Sequence, residues 1–213
     1  MLILEDKVKT NRTAFVQKVA RIATLLGIEP NWLMAVMFFE SGLNEKAMNA
    51  STNATGLIQF MPKTAIGLKT SVNALYSMNN INQLDFVYAY YKPKSGKLKS
   101  LVDLYLCTFF PLAIGQPDTY VLKSKDISAG SIAKVNKIFD PNGDKQVTVG
   151  EIKAALKIKF SKTIGDKNTN SLFSVVLEKA KTKTGIGLIA VTFFGTAIIS
   201  YILLKNKRLK QKK

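Results

Sequence analysis

Apolar residues recur along this chain in two patterns. Phe15, Val16, Val19, Ile22, Ala23 and Leu26 fall at helical spacing after Asn11 or Thr10 as a cap, and Gly27 ends the run, which predicts an amphipathic helix. The next stretch is apolar on every face from Trp32 to Phe39. It opens at Pro30, suited to a first helical turn, and ends on one carboxylate, Glu40, with Gly42 as a C-terminal stop. A helix of that kind belongs inside a core, with the first helix packed against it. Residues 44–56 turn to Asn, Ser, Thr and Ala and read as a loop. Phe60, Met61 and Pro62 lead into a short helix ending near Gly67.

Leu84, Val87, Tyr88 and Tyr91 share one side of a helix predicted over residues 82–91, followed by a Pro, Gly and Lys turn over 92–99. Another helix runs over residues 101–110, closed by Pro111. Farther on, Ile132, Val135, Ile138 and Phe139 before a polar loop, and Ile152, Ala155, Leu156 and Ile158 after it, predict a helix–loop–helix. Residues 161–171, rich in Lys, Thr, Asn and Gly, read as a linker, and a short helix is expected after them. Residues 185–204 carry no charge and are long enough, at about 30 Å as a helix, to cross a bilayer. The expected class is therefore mainly α. It comprises a helical domain over 1–125, a helix–loop–helix over 126–160, a linker and short helix over 161–183, a transmembrane helix over 184–204 and a basic tail over 205–213.

Glu40 carries the candidate chemistry. Apolar surroundings solvate its anion poorly, and the negative end of its helix dipole disfavours it further, so both effects push its pKa upward. A carboxyl group that keeps its proton near neutral pH is what a general acid needs. Composition narrows the alternatives. The chain of 213 residues contains no histidine, which excludes Ser-His-Asp and Cys-His nucleophiles and imidazole metal sites. No organic cofactor is implied. Cys107, set among Leu106, Phe109 and Phe110, reads as a small core hydrophobe.

Three segments in order, Glu40-Ser41-Gly42-Leu43, Thr55-Gly56-Leu57-Ile58-Gln59-Phe60 and the Asp103-Leu104-Tyr105-Leu106 helix with Phe109, Pro111 and Gly115, resemble the lysozyme-like lytic transglycosylase family, in particular its phage-encoded members. The resemblance covers about residues 10 to 120. It implies a lysozyme-like fold, Glu40 as catalytic acid, and Ser41, Ile58, Gln59 and Tyr105 around a groove that grips the peptidoglycan glycan strand. Ile58 stands where methionine is commoner in that family, and the third segment is not the Ala-Tyr-Asn form of many bacterial members. Gln59 is suited to a sugar because an amide both donates and accepts. Tyr105 would hydrogen-bond the acid or the sugar beside it. Glycoside cleavage ordinarily employs two carboxylates. Glu45, Asp85 and Asp103 are candidates for the second only by elimination.

The loop over residues 140–151 has oxygen-bearing side chains at positions 1, 3, 5, 9 and 12 and an apolar residue at position 8, the EF-hand pattern. Asp140, Asn142 and Asp144 would supply side-chain oxygens, Gln146 its carbonyl, Thr148 a direct or water-bridged contact and Glu151 a bidentate clamp on Ca2+. The departure is Lys145 at position 6, where a glycine normally makes the sharp turn.

Charge adds the last constraint. The formal net charge is +17, with a net of +6 over residues 1–125 and +11 over 126–213. Such a field favours an acidic wall polymer or anionic lipid, and no nucleic-acid motif or stacking pattern accompanies it. Six basic residues, Lys205, Lys207, Arg208, Lys210, Lys212 and Lys213, follow the apolar span and favour the tail on the cytoplasmic or viral-interior side. The first residues lack the apolar run of a secretory signal. Taken with the apolar span, the resemblance to phage-encoded members implies a single-pass protein of a virion's internal membrane, with capsid or vertex proteins as neighbours, or otherwise of the bacterial envelope. The rival expectation is a non-catalytic glycan-binding or structural virion protein on the same fold.

Overall fold

The computed structural model describes residues 1–173. The expected transmembrane helix, the end of the short helix before it and the basic tail lie outside the described residues. The described chain is mainly α-helical, with nine α-helices and no sheet: α1 Arg12–Leu26, α2 Pro30–Ser41, α3 Pro62–Gly67, α4 Val72–Ser77, α5 Asn80–Tyr91, α6 Leu101–Phe109, α7 Ala129–Val135, α8 Val149–Ile164 and α9 Asp166–Phe173. Only isolated β-bridges occur among these residues, Met48 with Thr55, Thr55 with Phe60 and Val121 with Thr148.

The helix ends follow their sequence signals. Gly27 and Gly42 both take the left-handed conformation that caps α1 and α2, at φ 66° each. Ser71, Asn79, Ser100, Ser128 and Thr148 each accept a backbone N–H as the N-cap of the helix that follows. Helix α2 is enclosed as its composition requires. Leu33, Met34, Ala35, Val36 and Met37 are all buried, with α1 and α6 packed on it.

Two expectations change. Helix α4 was not foreseen, because six residues are too few to show a helical rhythm; its Ser71 cap was the available signal. Residues 161–171, expected as a linker, are helical: α8 continues to Ile164 and, after Gly165, α9 folds back against it. Thr169 is buried there and Leu172 joins the core, while the exposed polar faces of α8 and α9 give the stretch its linker-like composition.

The core does not divide at residue 125. Phe139, Val147, Val149, Ile152, Leu156 and Phe160 share one apolar cluster with α1, α2 and α6. Phe139 stacks on Phe39 with ring centroids 6.3 Å apart and meets Tyr105 and Phe109 edge-on at 5.9 and 5.2 Å. The helix–loop–helix is thus one wall of the helical domain.

Candidate active site

Glu40 occupies the last turn of α2 and is 3% exposed, the only buried carboxylate among the described residues. Three tyrosines surround it. Burial is the main reason the phenols of Tyr90, Tyr91 and Tyr105 titrate above the ordinary tyrosine range, and the negative charge of Glu40 adds to the shift in each. All three therefore stay protonated beside the acid through the neutral range.

Next to this cluster lies a groove of about 350 Å³, within the size of small-ligand sites. It is lined by Ile58, Gln59, Phe60, Met61 and Thr64, by Tyr90, by Thr108 to Leu112, and by Ser124 and Ile127. Glu40 is not itself a lining residue; Tyr90, which is, feels its charge. The Tyr90 hydroxyl donates to the Cys107 carbonyl at 2.9 Å, and its ring meets Tyr91 and Phe60 edge-on. The Tyr91 and Thr108 hydroxyls share a hydrogen bond at 2.6 Å. Burial pushes the Cys107 thiol up to about 11, with Lys94 pulling weakly the other way, so it is a core hydrophobe and no nucleophile.

The structure separates the sequence candidates. Ile58 and Gln59 line the groove; Ser41 and Tyr105 do not. The Ser41 hydroxyl is turned to the carbonyls of Met37 and Leu57, 2.9 Å from each. Tyr105 is wholly enclosed, stacked with Phe109 and edge-on to Phe39, and its hydroxyl makes no hydrogen bond with acid or groove. Its place in the middle of α6, on the face turned to α2, makes it core. Gln59 sits in the left-handed conformation at φ 52° and spends its amide hydrogens on the carbonyls of Ala47 and Gly56, at 3.2 and 3.1 Å. Only its carbonyl oxygen is left to receive a hydrogen bond from a ligand.

Tyr90 and Thr108 are the groove residues that sequence reasoning missed. Tyr90 is seven residues after the buried Gln83 and three after the buried Val87, a spacing that marks the inner side of α5.

None of the proposed second carboxylates reaches the groove. Asp85 pairs with Lys18 at 2.8 Å on the surface. Asp103 accepts from Ser100, the Lys99 amide and the Gly115 amide, and opens onto a separate cleft of about 630 Å³ with Trp32 and Lys153. Glu45 contributes its backbone carbonyl to Gln83. None of these three carboxylates lines the groove; Asp126 stands between Ser124 and Ile127, which do.

In the loop over 140–151, Lys145 adopts φ 64°, the left-handed turn that position 6 requires, at a cost of about 1 kcal/mol for a residue with a side chain. Asn142 accepts from the Asp144 amide and Asp144 from the Gln146 amide. Glu151 turns one oxygen back to the amide and hydroxyl of Thr148, closing a capping box on α8. Asp140 has a buried oxygen with no hydrogen-bond partner. No three His, Cys, Asp or Glu side chains among the described residues are gathered as a metal-holding group.

A buried carboxyl group among neutral phenols beside an amide-edged groove is the equipment of a glycosidase. Residues 19–87 match the family described as Transglycosylase SLT domain, a lytic transglycosylase family of peptidoglycan glycosidases. The match includes Glu40, Ser41, Ile58 and Gln59, and implies lytic transglycosylase activity on peptidoglycan. No curated protein and no solved structure matches the chain.

Proposed function

We propose that Glu40 carries out both proton transfers of a lytic transglycosylase. As the acid it protonates the glycosidic oxygen, and the C1–O bond breaks with the leaving sugar taking that proton. As the carboxylate it then removes the proton of the C6 hydroxyl, whose oxygen bonds to C1 and closes a 1,6-anhydro ring. No water is consumed, and Glu40 ends protonated as it began. The observation that carries this reading is the enclosure of Glu40 among neutral phenols beside a groove whose described lining residues include no carboxylate. A retaining or inverting hydrolase needs a second acid at about 5 to 9.5 Å; attack by the sugar's own hydroxyl does not. Ile58 shapes the floor of a sugar subsite, and the Gln59 carbonyl receives an N-acetyl N–H or a hydroxyl.

Calcium belongs to the same proposal. Asp140, Asn142, Asp144, Gln146, Thr148 and Glu151 would hold the ion, the unpartnered Asp140 oxygen facing it and Lys145 already in the required turn. The ion would clip the loop, and no step of the reaction passes through it. The chain outside the described residues supplies the location: residues 184–204 would anchor the enzyme in a bilayer as a single pass, and resemblance to phage-encoded members supports a place in a virion's internal membrane beside capsid or vertex proteins. Among the described residues no single helix is long and apolar enough to cross a membrane.

The test is mass analysis of peptidoglycan digested by the full chain. Anhydro-terminated fragments, one water lighter than hydrolytic ones, are expected, and Glu40→Gln should lower their release by about 10² to 10⁴-fold while leaving the fold intact. Hydrated ends would reassign the enzyme as a lysozyme-type hydrolase. Wall binding with no soluble fragments would support the non-catalytic, glycan-holding alternative. Flotation of the full chain with liposomes, lost on deleting 184–213, tests the anchor.

A further inference from the structure

We infer that Gln83 is a positioning residue for the glycan groove, a buried amide that holds residues 56–59 in register with α5 and with the turn after Glu40. The inference rests on the groove reading above. Gln83 is completely buried. Its carbonyl oxygen accepts the Leu57 amide at 3.0 Å, and its amide nitrogen donates to the carbonyls of Glu45 and Leu75, each at 2.7 Å. One side chain thereby joins the start of the 44–56 loop, the end of α4 and the groove edge.

Gly56 allows this approach. A Cβ on Gly56, which has φ 81°, would lie 2.4 Å from the Gln83 oxygen, and that oxygen cannot retreat without breaking its bond to Leu57. The peptide at Leu57 is gripped from both sides, since its N–H goes to Gln83 and its carbonyl accepts the Ser41 hydroxyl at 2.9 Å. Ser41 follows Glu40 directly, and Ile58 and Gln59, which line the groove, follow Leu57. The amide thus sets the distance between the subsite edge and the acid.

The chemistry demands an amide. The pocket presents one donor and two acceptors, and among side chains of this length only glutamine offers one acceptor and two donors. A glutamate anion would face two carbonyl oxygens, and protonated it returns one of the two donors. A leucine would leave all three backbone groups unsatisfied.

The experiment compares full-length wild-type, Gln83→Glu and Gln83→Leu proteins for fragment release from insoluble peptidoglycan between pH 4.5 and 8, with folding followed by near-UV circular dichroism and thermal melting. Gln83→Glu should remain folded and lose roughly tenfold in kcat/KM at neutral pH, mainly as a raised apparent KM, which is the scale of one to two buried hydrogen bonds. Relative to wild type it should recover part of that loss at acid pH, and Gln83→Leu should not. Gly56→Ala, which sets a methyl on the same oxygen, should raise KM likewise, and should cost less in a Gln83→Ala background than alone. A folded Gln83→Glu protein with wild-type KM, or additive effects of the two sites, would overturn the inference. If wild type releases no fragments, the catalytic reading fails by itself. Pull-down on insoluble peptidoglycan then decides the role of Gln83: weakened binding supports it and unchanged binding rejects it.

Discussion

Two loops carry the candidate chemistry, and they are built in opposite ways. In residues 44–60 the side chains of Asn49, Thr52, Thr55 and Gln59 are buried and hydrogen-bonded. Asn49 accepts from the amides of Ser51 and Thr52, the Gln59 amide closes on Ala47 and Gly56, and Thr55 and Phe60 exchange backbone bonds. In residues 140–151 the polar side chains from Asn142 to Gln146 are exposed and bond mainly one another, while Asp140 keeps a buried oxygen without a partner. Val147 and Val149 are anchored in the core, and the Val147 carbonyl accepts the Leu122 amide. The first loop is organised by the protein itself. The second leaves its oxygen-bearing side chains largely to solvent.

The largest expected effect falls on the first loop. Gly56→Ala forces the Gln83 oxygen away and strains a φ of 81°, and should destabilise by about 2 to 4 kcal/mol. A shift of the urea midpoint measures it, and a change below 1 kcal/mol would mean that the loop is less tightly tied than its hydrogen bonds indicate.

The next effect concerns the interior below the groove. Burial pushes the folded Cys107 thiol up to about 11, from an ordinary value of 9.0. A raised pKa on an acid means that the unfolded chain loses its proton first. Its stabilising contribution is whole below pH 9 and is lost as pH climbs toward 11, by on the order of 2 kcal/mol. Cys107→Ala should flatten that part of the stability profile, and an unchanged slope would show that the thiol is better solvated than its burial implies.

Calcium at ten times its dissociation constant should raise stability by about 1.4 kcal/mol in the wild type and not in Asp140→Ala. Melting curves with and without chelator read this directly, and an equal response in both proteins would place the ion elsewhere. The smallest effect is at Lys145. Replacement by glycine should gain about 1 kcal/mol or less by relieving φ 64°, and should tighten calcium by removing a like charge, measurable by titration calorimetry.

What the sequence disclosed follows the same division. Periodic apolar runs and glycine stops placed α1 and α2 and enclosed Glu40, because a helix end is set by a few neighbouring residues. The 140–151 segment was legible as a loop leading into a helix, and Thr148 and Glu151 close that helix's capping box. Gln83 was invisible for the opposite reason. Its partners at 45, 57 and 75 are distant in the chain, and a glutamine beside Leu84 looks like a wet helix face. Tyr105 shows the same limit: a tyrosine in a helix gives no sign of whether its hydroxyl meets a groove or, as here, its ring packs among Phe39, Phe109 and Phe139 beside Glu40. The continuity of the core past residue 125 depends on those rings meeting across a hundred residues, which no local pattern records.

The indole N–H of Trp32 donates to the Leu172 carbonyl at 3.2 Å, tying the last described helix to the opening turn of α2. A pull on the chain beyond Phe173 is therefore delivered to the end of α2 opposite the acid, about 12 Å away along the helix axis. Under the proposed anchoring and chemistry, load and acid would sit at opposite poles of one rod.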